Sequence, residues 1–73
     1  MGSRSDKDTI KKFSKNVRLK RHAKELTQLE LAEIIGCHIN YCGLLERGQV
    51  DPTLTMLVKI ARALETTIDD LLR

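Results

Sequence analysis

Seventy-three residues suffice for one domain, close to the lower limit at which a chain buries a self-sufficient core. With 41% hydrophobic residues but one Phe, one Tyr, no Trp and a single Pro, that core is aliphatic, and the Leu- and Ile-rich inventory favours helices over strands. The net charge of +3 is unevenly spread: residues 1–24 carry nine Lys/Arg against Asp6 and Asp8, and residues 25–73 four against eight Asp/Glu, nets of +7 and −4. No apolar run approaches the roughly 20 residues that cross a bilayer, and the N-terminus has no apolar signal segment. "MGSRSD" also places Asp6 where a myristoylation pattern needs Ser or Thr. The composition is that of a soluble, intracellular domain. Its basic first third suits a polyanionic partner, usually nucleic acid, as well as a plain solvated helix face.

In chain order, residues 1–8, "MGSRSDKD", lack periodicity and are expected to form a flexible arm or tag remnant, leaving residues 9–73 as the domain. Asp8 or Thr9 can cap a first helix with Ile10, Phe13 and Val17 on one stripe and Leu19 and Ala23 off it, ending near Lys24-Glu25. In "LTQLELAEIIG", Thr27 and Glu30 form a Thr-x-x-Glu capping box. Leu31, Ala32 and Ile35 follow as a buried stripe, and Gly36 can close the helix with positive φ. Another short helix spans about His38 to Arg47 and ends at Gly48. Asp51-Pro52 breaks the pattern, and Thr53 caps a fourth helix whose stripe is Leu54, Leu57, Val58, Ala61 and Leu64. Thr67 caps a last short helix, with Asp69 and Asp70 placed on its dipole. The expectation is five helices, no strands and no repeat.

Two short helices joined through Gly36 describe a helix-turn-helix over about residues 27–47. Ala32 is small where the two would cross, Cys37 is expected as a buried turn residue, and Cys42 and Leu45 lie three apart on the inner face. "CHINYC" invites a metal or redox reading, but its spacing is neither C-x₂-C nor H-x₃-H, and His22 lies on another helix. Free cysteine fills a small buried apolar position well, so no metal site is expected. Nor is an enzyme expected, since no His/Ser/Asp or paired-carboxylate set converges and five small helices leave little room for a pocket.

From Phe13 to Leu72 the chain resembles the lambda-repressor-like, Cro or xenobiotic-response-element type of helix-turn-helix domain. The resemblance rests on "F…VRLKR", "LTQLELAEIIG", "Y…LERG", "P.L..L.KIARAL" and "DLL". It implies an all-α, compact five-helix fold with the third helix laid in the major groove. It also implies a homodimeric, cytoplasmic regulator of transcription that binds operator DNA, nucleoid-associated when bound, and needs no cofactor or membrane. By the same resemblance, His38, Ile39, Asn40, Gly43 and Leu44 face the bases. Thr27, Gln28, Arg47 and Gln49, with Lys15 and Lys20 of the first helix, meet phosphate. Arg18 and Glu46 match a structural ion pair, and Ile68, Leu71 and Leu72 are candidates for the dimer contact or for closing the core. The base-facing set departs from the pattern, because only Asn40 offers a bidentate polar pair, suited to adenine. Ile39 and Leu44 could touch thymine methyls, and Gly43 gives no side chain at about 1 kcal/mol of helix propensity. That apolar face leaves a second reading: a protein-interaction module, antirepressor- or antitoxin-like, that keeps the fold without operator binding.

Overall fold

The computed structural model describes residues 3–73, with side chains described from residue 7 onward. Five helices follow one another: α1 (Ser3–Ala23), α2 (Gln28–Ile35), α3 (Ile39–Glu46), α4 (Leu54–Ala63) and α5 (Ile68–Leu71), with no strand among the described residues. Three of the starts are capped by the expected threonines: Thr27, Thr53 and Thr67 accept from Glu30 N, Met56 N and Asp70 N. The capping box at Thr27 is complete, since Glu30 Oε1 accepts from Thr27 N at 2.8 Å. At α1 the structure differs from the sequence expectation. The helix starts at Ser3, ahead of the Asp8 or Thr9 cap, so positions 3–8 of the expected arm are helical. No Pro or Gly interrupts those positions, so the helix can propagate backwards. The remainder of that arm, Met1 and Gly2, lies outside the described residues.

The ends of α1 to α4 share one device. Leu26 N donates to Arg21 O, Cys37 N to Ala32 O, Gln49 N to Leu44 O and Thr66 N to Ala61 O, each a bond five residues back across a left-handed residue. This is the Schellman closure. Gly36 and Gly48 fill the left-handed position at φ 73 and 71, whereas Glu25 and Glu65 occupy it at φ 57 and 54. A side chain there meets the steric penalty that glycine avoids.

Phe13 and Val17 of α1, Leu31, Ala32 and Ile35 of α2, Cys42 and Leu45 of α3, Ile60 and Ala61 of α4, with Leu64 and Leu71, form one core. Burial along α4 grows toward its C-terminal end, so Leu54, expected on the buried stripe, is 72% exposed, while Ile60, left off that stripe, is fully buried. Leu71, a dimer candidate, is likewise fully buried within its own subunit, where it closes the core. Asn16 Nδ2 ties α1 to this last helix by donating to Leu71 O at 2.9 Å. Cys37 is half-buried rather than buried, because it follows the left-handed turn at Gly36 and only flanks the core.

Candidate nucleic-acid interface

Helices α2 and α3 pack together across the turn at Gly36, with the small side chain of Ala32 buried in the core, and α1 clamps the end of α3 from behind. That clamp corrects a sequence expectation. Glu46 is paired not with Arg18 but with Arg21, whose Nε and Nη2 donate to Glu46 Oε2 and Oε1 at 2.6 and 2.9 Å. Arg21 lies four and eight residues after Val17 and Phe13, so helical periodicity points it inward. Arg18, one step off that stripe, stays exposed and reaches only the backbone, donating from Nη1 to Glu46 O at 3.1 Å. The same stripe was the signal in the sequence that could have singled out Arg21.

Arg21 Nη1 also donates to Leu26 O at 2.8 Å, and Gln28 Nε2 donates to Glu46 Oε1 at 3.1 Å. Burial pushes the Glu46 carboxyl up, but the hydrogen bonds from Arg21 and Gln28 and the charges of Arg21 and Arg18 outweigh it and hold the group below its ordinary value. The hydrogen bond to Glu46 raises the Arg21 guanidinium in turn. One buried carboxylate thus fixes α1, the start of α2 and the end of α3 against each other.

On the outer side, Gln28, Ile39, Asn40, Gly43, Leu44 and Arg47 border one open depression. These residues join the start of α2 to the exposed face of α3. Asn40 and Arg47 are exposed, Ile39 is 38% exposed, and Gln28 and Leu44 are half-buried. Gly43 is buried, because the Arg47 side chain lies over it. His38 caps α3: its Nδ1 accepts from Asn40 N at 3.0 Å, which leaves the proton of a neutral ring on Nε2. Thr27, His38 and Gln49 are exposed but stand outside that depression. So do Lys15, exposed, and Lys20, half-buried, both carried on α1.

Cys37 and Cys42 are free thiols. Burial raises both, and Cys42, also beside Glu46, is pushed up to about 11. No group of three or more His, Cys, Asp or Glu among the described residues is arranged to hold a metal ion. No described helix is long and apolar enough to cross a membrane.

A helix-turn-helix family model (HTH_3) matches residues 17–71. The chain belongs to this family. This helix-turn-helix protein is 42% identical over 60 residues to the control protein C.SmaI of Serratia marcescens, a match covering 82% of this chain and 71% of that one. Among solved structures it superposes on the restriction-modification controller protein C.AhdI from Aeromonas hydrophila with a TM-score of 0.80 at 37% identity, covering 85% of this chain and 94% of that chain. A hypothetical transcription factor from Neisseria is similar at a TM-score of 0.85 and 32% identity, over 89% of this chain and 73% of that chain. The all-α, five-helix expectation and the family resemblance hold. The protein is a DNA-binding regulator of transcription, not an enzyme.

Proposed function

We propose that this chain is a controller of a restriction–modification operon that binds its operator as a homodimer in the cytoplasm. Each protomer lays α3 in the major groove of one half-site, and the half-sites are spaced by about one helical turn, roughly 34 Å. The observation that carries this reading is the face bordered by Gln28, Ile39, Asn40, Gly43, Leu44 and Arg47, which contains a cation and no carboxylate. It stands out in a stretch, residues 25–73, whose net charge is −4. His38, Ile39, Asn40 and Leu44 approach the base edges, with Asn40 paired to adenine. Thr27, Gln28 and Gln49, with Lys15 and Lys20, hold the phosphates on either side. The names of the Serratia and Aeromonas relatives support the operon assignment.

The second protomer is expected on the side of α4 and α5. Leu54 of α4 is 72% exposed and Leu72, after α5, 39% exposed, and Ile10, Phe13, Pro52, Leu57 and Leu72, with Thr9 and Asp51, line a small, mostly apolar groove of about 170 Å³. Ile68 of α5 is half-buried against the core.

Fluorescence anisotropy on duplex DNA at two salt concentrations tests the reading. Lys15 and Lys20 from both protomers give four phosphate contacts, so binding should weaken on the order of 100-fold between 50 and 200 mM salt. Absence of salt-dependent binding would instead favour the protein-interaction reading. Asn40→Ala should relax sequence preference, whereas Gln28→Ala should weaken binding to all sequences alike. Sedimentation of the wild type against a Leu54→Glu/Leu72→Glu variant checks the dimer, which the variant should dissociate.

A further inference from the structure

Gly43 has a helical backbone conformation that any residue can adopt, so its missing side chain serves no turn. A glycine in mid-helix is unfavourable relative to alanine, and the structure shows what occupies the space. A Cβ built on Gly43 would lie 3.2 Å from Arg47 Nη1 and 3.9 Å from both Cζ and Nη2. Arg47 is four residues on, on the same face of the helix, and helical side chains lean back toward the N-terminus. Its guanidinium therefore rests over Gly43 in the middle of α3, bordering the same depression as Asn40 and Leu44, and not at the end of the helix where its Cα stands. Among the described residues it has no hydrogen-bond or ion-pair partner, so its fork of five donors is available.

We infer that Arg47, lying in the slot left by Gly43, is a base-reading residue that recognises guanine, rather than a phosphate clamp. Arginine pairs bidentately with O6 and N7 of guanine in the major groove. Asn40 lies seven residues, about two turns, before Arg47, and the guanidinium reaches back to Gly43, one turn from Asn40, so α3 presents an adenine reader and a guanine reader side by side, which supplies the polar specificity its apolar neighbours lack. This inference rests on α3 lying in the major groove. A Cβ at position 43 would push the guanidinium outward by a few tenths of an ångström, and a longer side chain would displace it from the slot, so Gly43 acts as a positioning residue.

Selection of bound sequences from a random duplex pool by the full chain, by Arg47→Lys and by Gly43→Ala tests it. The wild-type motif should contain a fixed guanine in each half-site. Arg47→Lys should lose that column and Gly43→Ala should weaken it, and both should keep the adenine column set by Asn40. On the selected site Arg47→Lys should bind about 5- to 150-fold more weakly, with affinity for random duplex little changed. Replacing that guanine by 7-deazaguanine should weaken the wild type and add little to the loss in Arg47→Lys. Gly43→Ala should melt at or above the wild-type temperature, which separates lost recognition from lost folding. Retention of the guanine column by Arg47→Lys, or an equal loss on all sequences, would overturn the inference while leaving the DNA reading intact. Failure of the wild type to bind any duplex would overturn both, and it would be seen before any variant is compared.

Discussion

Replacing Glu46 by glutamine isolates the charge that joins α1, α2 and α3. The substitution keeps the volume and leaves Arg21, whose side chain is 9% exposed, facing a neutral partner in a site where Glu46 is 3% exposed. Removing one member of a buried pair typically destabilises by about 3–5 kcal/mol, because the other charge is left uncompensated. A domain of this length has about 4–11 kcal/mol in all, so Glu46→Gln should remove a large share of it. The melting temperature should fall by at least about 12 °C, read by circular dichroism and by urea unfolding. Arg21→Ala should be comparably severe. Arg18→Ala loses a part-buried hydrogen bond to the Glu46 carbonyl at 3.1 Å and the smallest of the charge effects on the carboxylate, a loss of about 1 kcal/mol. The pH dependence has a fixed sign. Glu46 titrates below its ordinary value of 4.5 when folded, so its stabilisation is fully present above that value and is lost as pH falls through the depressed one. The stability gap between wild type and Glu46→Gln should be constant from neutral pH down to about 5 and close below 4.5. An Arg18→Ala loss as large as that of Arg21→Ala, or a Glu46→Gln loss under about 1 kcal/mol, would refute the reasoning.

Thr27→Ala removes the hydroxyl that accepts from Glu30 N at 3.0 Å and should lower stability by about 1 kcal/mol in urea unfolding. Gly36→Ala should destabilise by about 1–2 kcal/mol although a Cβ there meets no atom within 4 Å, since the penalty lies in the left-handed backbone alone. Glu25→Gly, at φ 57, should stabilise by up to about 1 kcal/mol in the same assay; a loss would mean that the Glu25 side chain has a role beyond its backbone. With a maleimide at pH 8 followed by mass spectrometry, half-buried Cys37 should label in the folded protein. Cys42, fully buried and with its thiol pushed up to about 11, should label only on unfolding, and equal native labelling would contradict its placement in the core.

The local signals were legible without a structure. The capping box of Thr27 and Glu30, the threonine caps at 53 and 67 and the left-handed glycines at 36 and 48 all stand where the sequence puts them, because each is decided by residues within a few positions of one another. The family motifs likewise located α3, on which Ile39 and Asn40 are exposed. What needed the tertiary structure was every choice between near-equivalent residues on neighbouring helices. Arg18 and Arg21 have the same chemistry; the Phe13 and Val17 stripe turns Arg21 inward, but only the packing of α1 on α3 sets the Glu46 carboxylate against Arg21 and its carbonyl against Arg18. Leu54 and Leu71 are both leucines on apolar stripes, yet one is 72% exposed and the other buried, according to which turn of its helix meets the core. The outward face of α3 looked short of polar reach when read residue by residue. Packing changed that, because a glycine at 43 and an arginine at 47 become a single feature only when the side chain is seen lying over the gap.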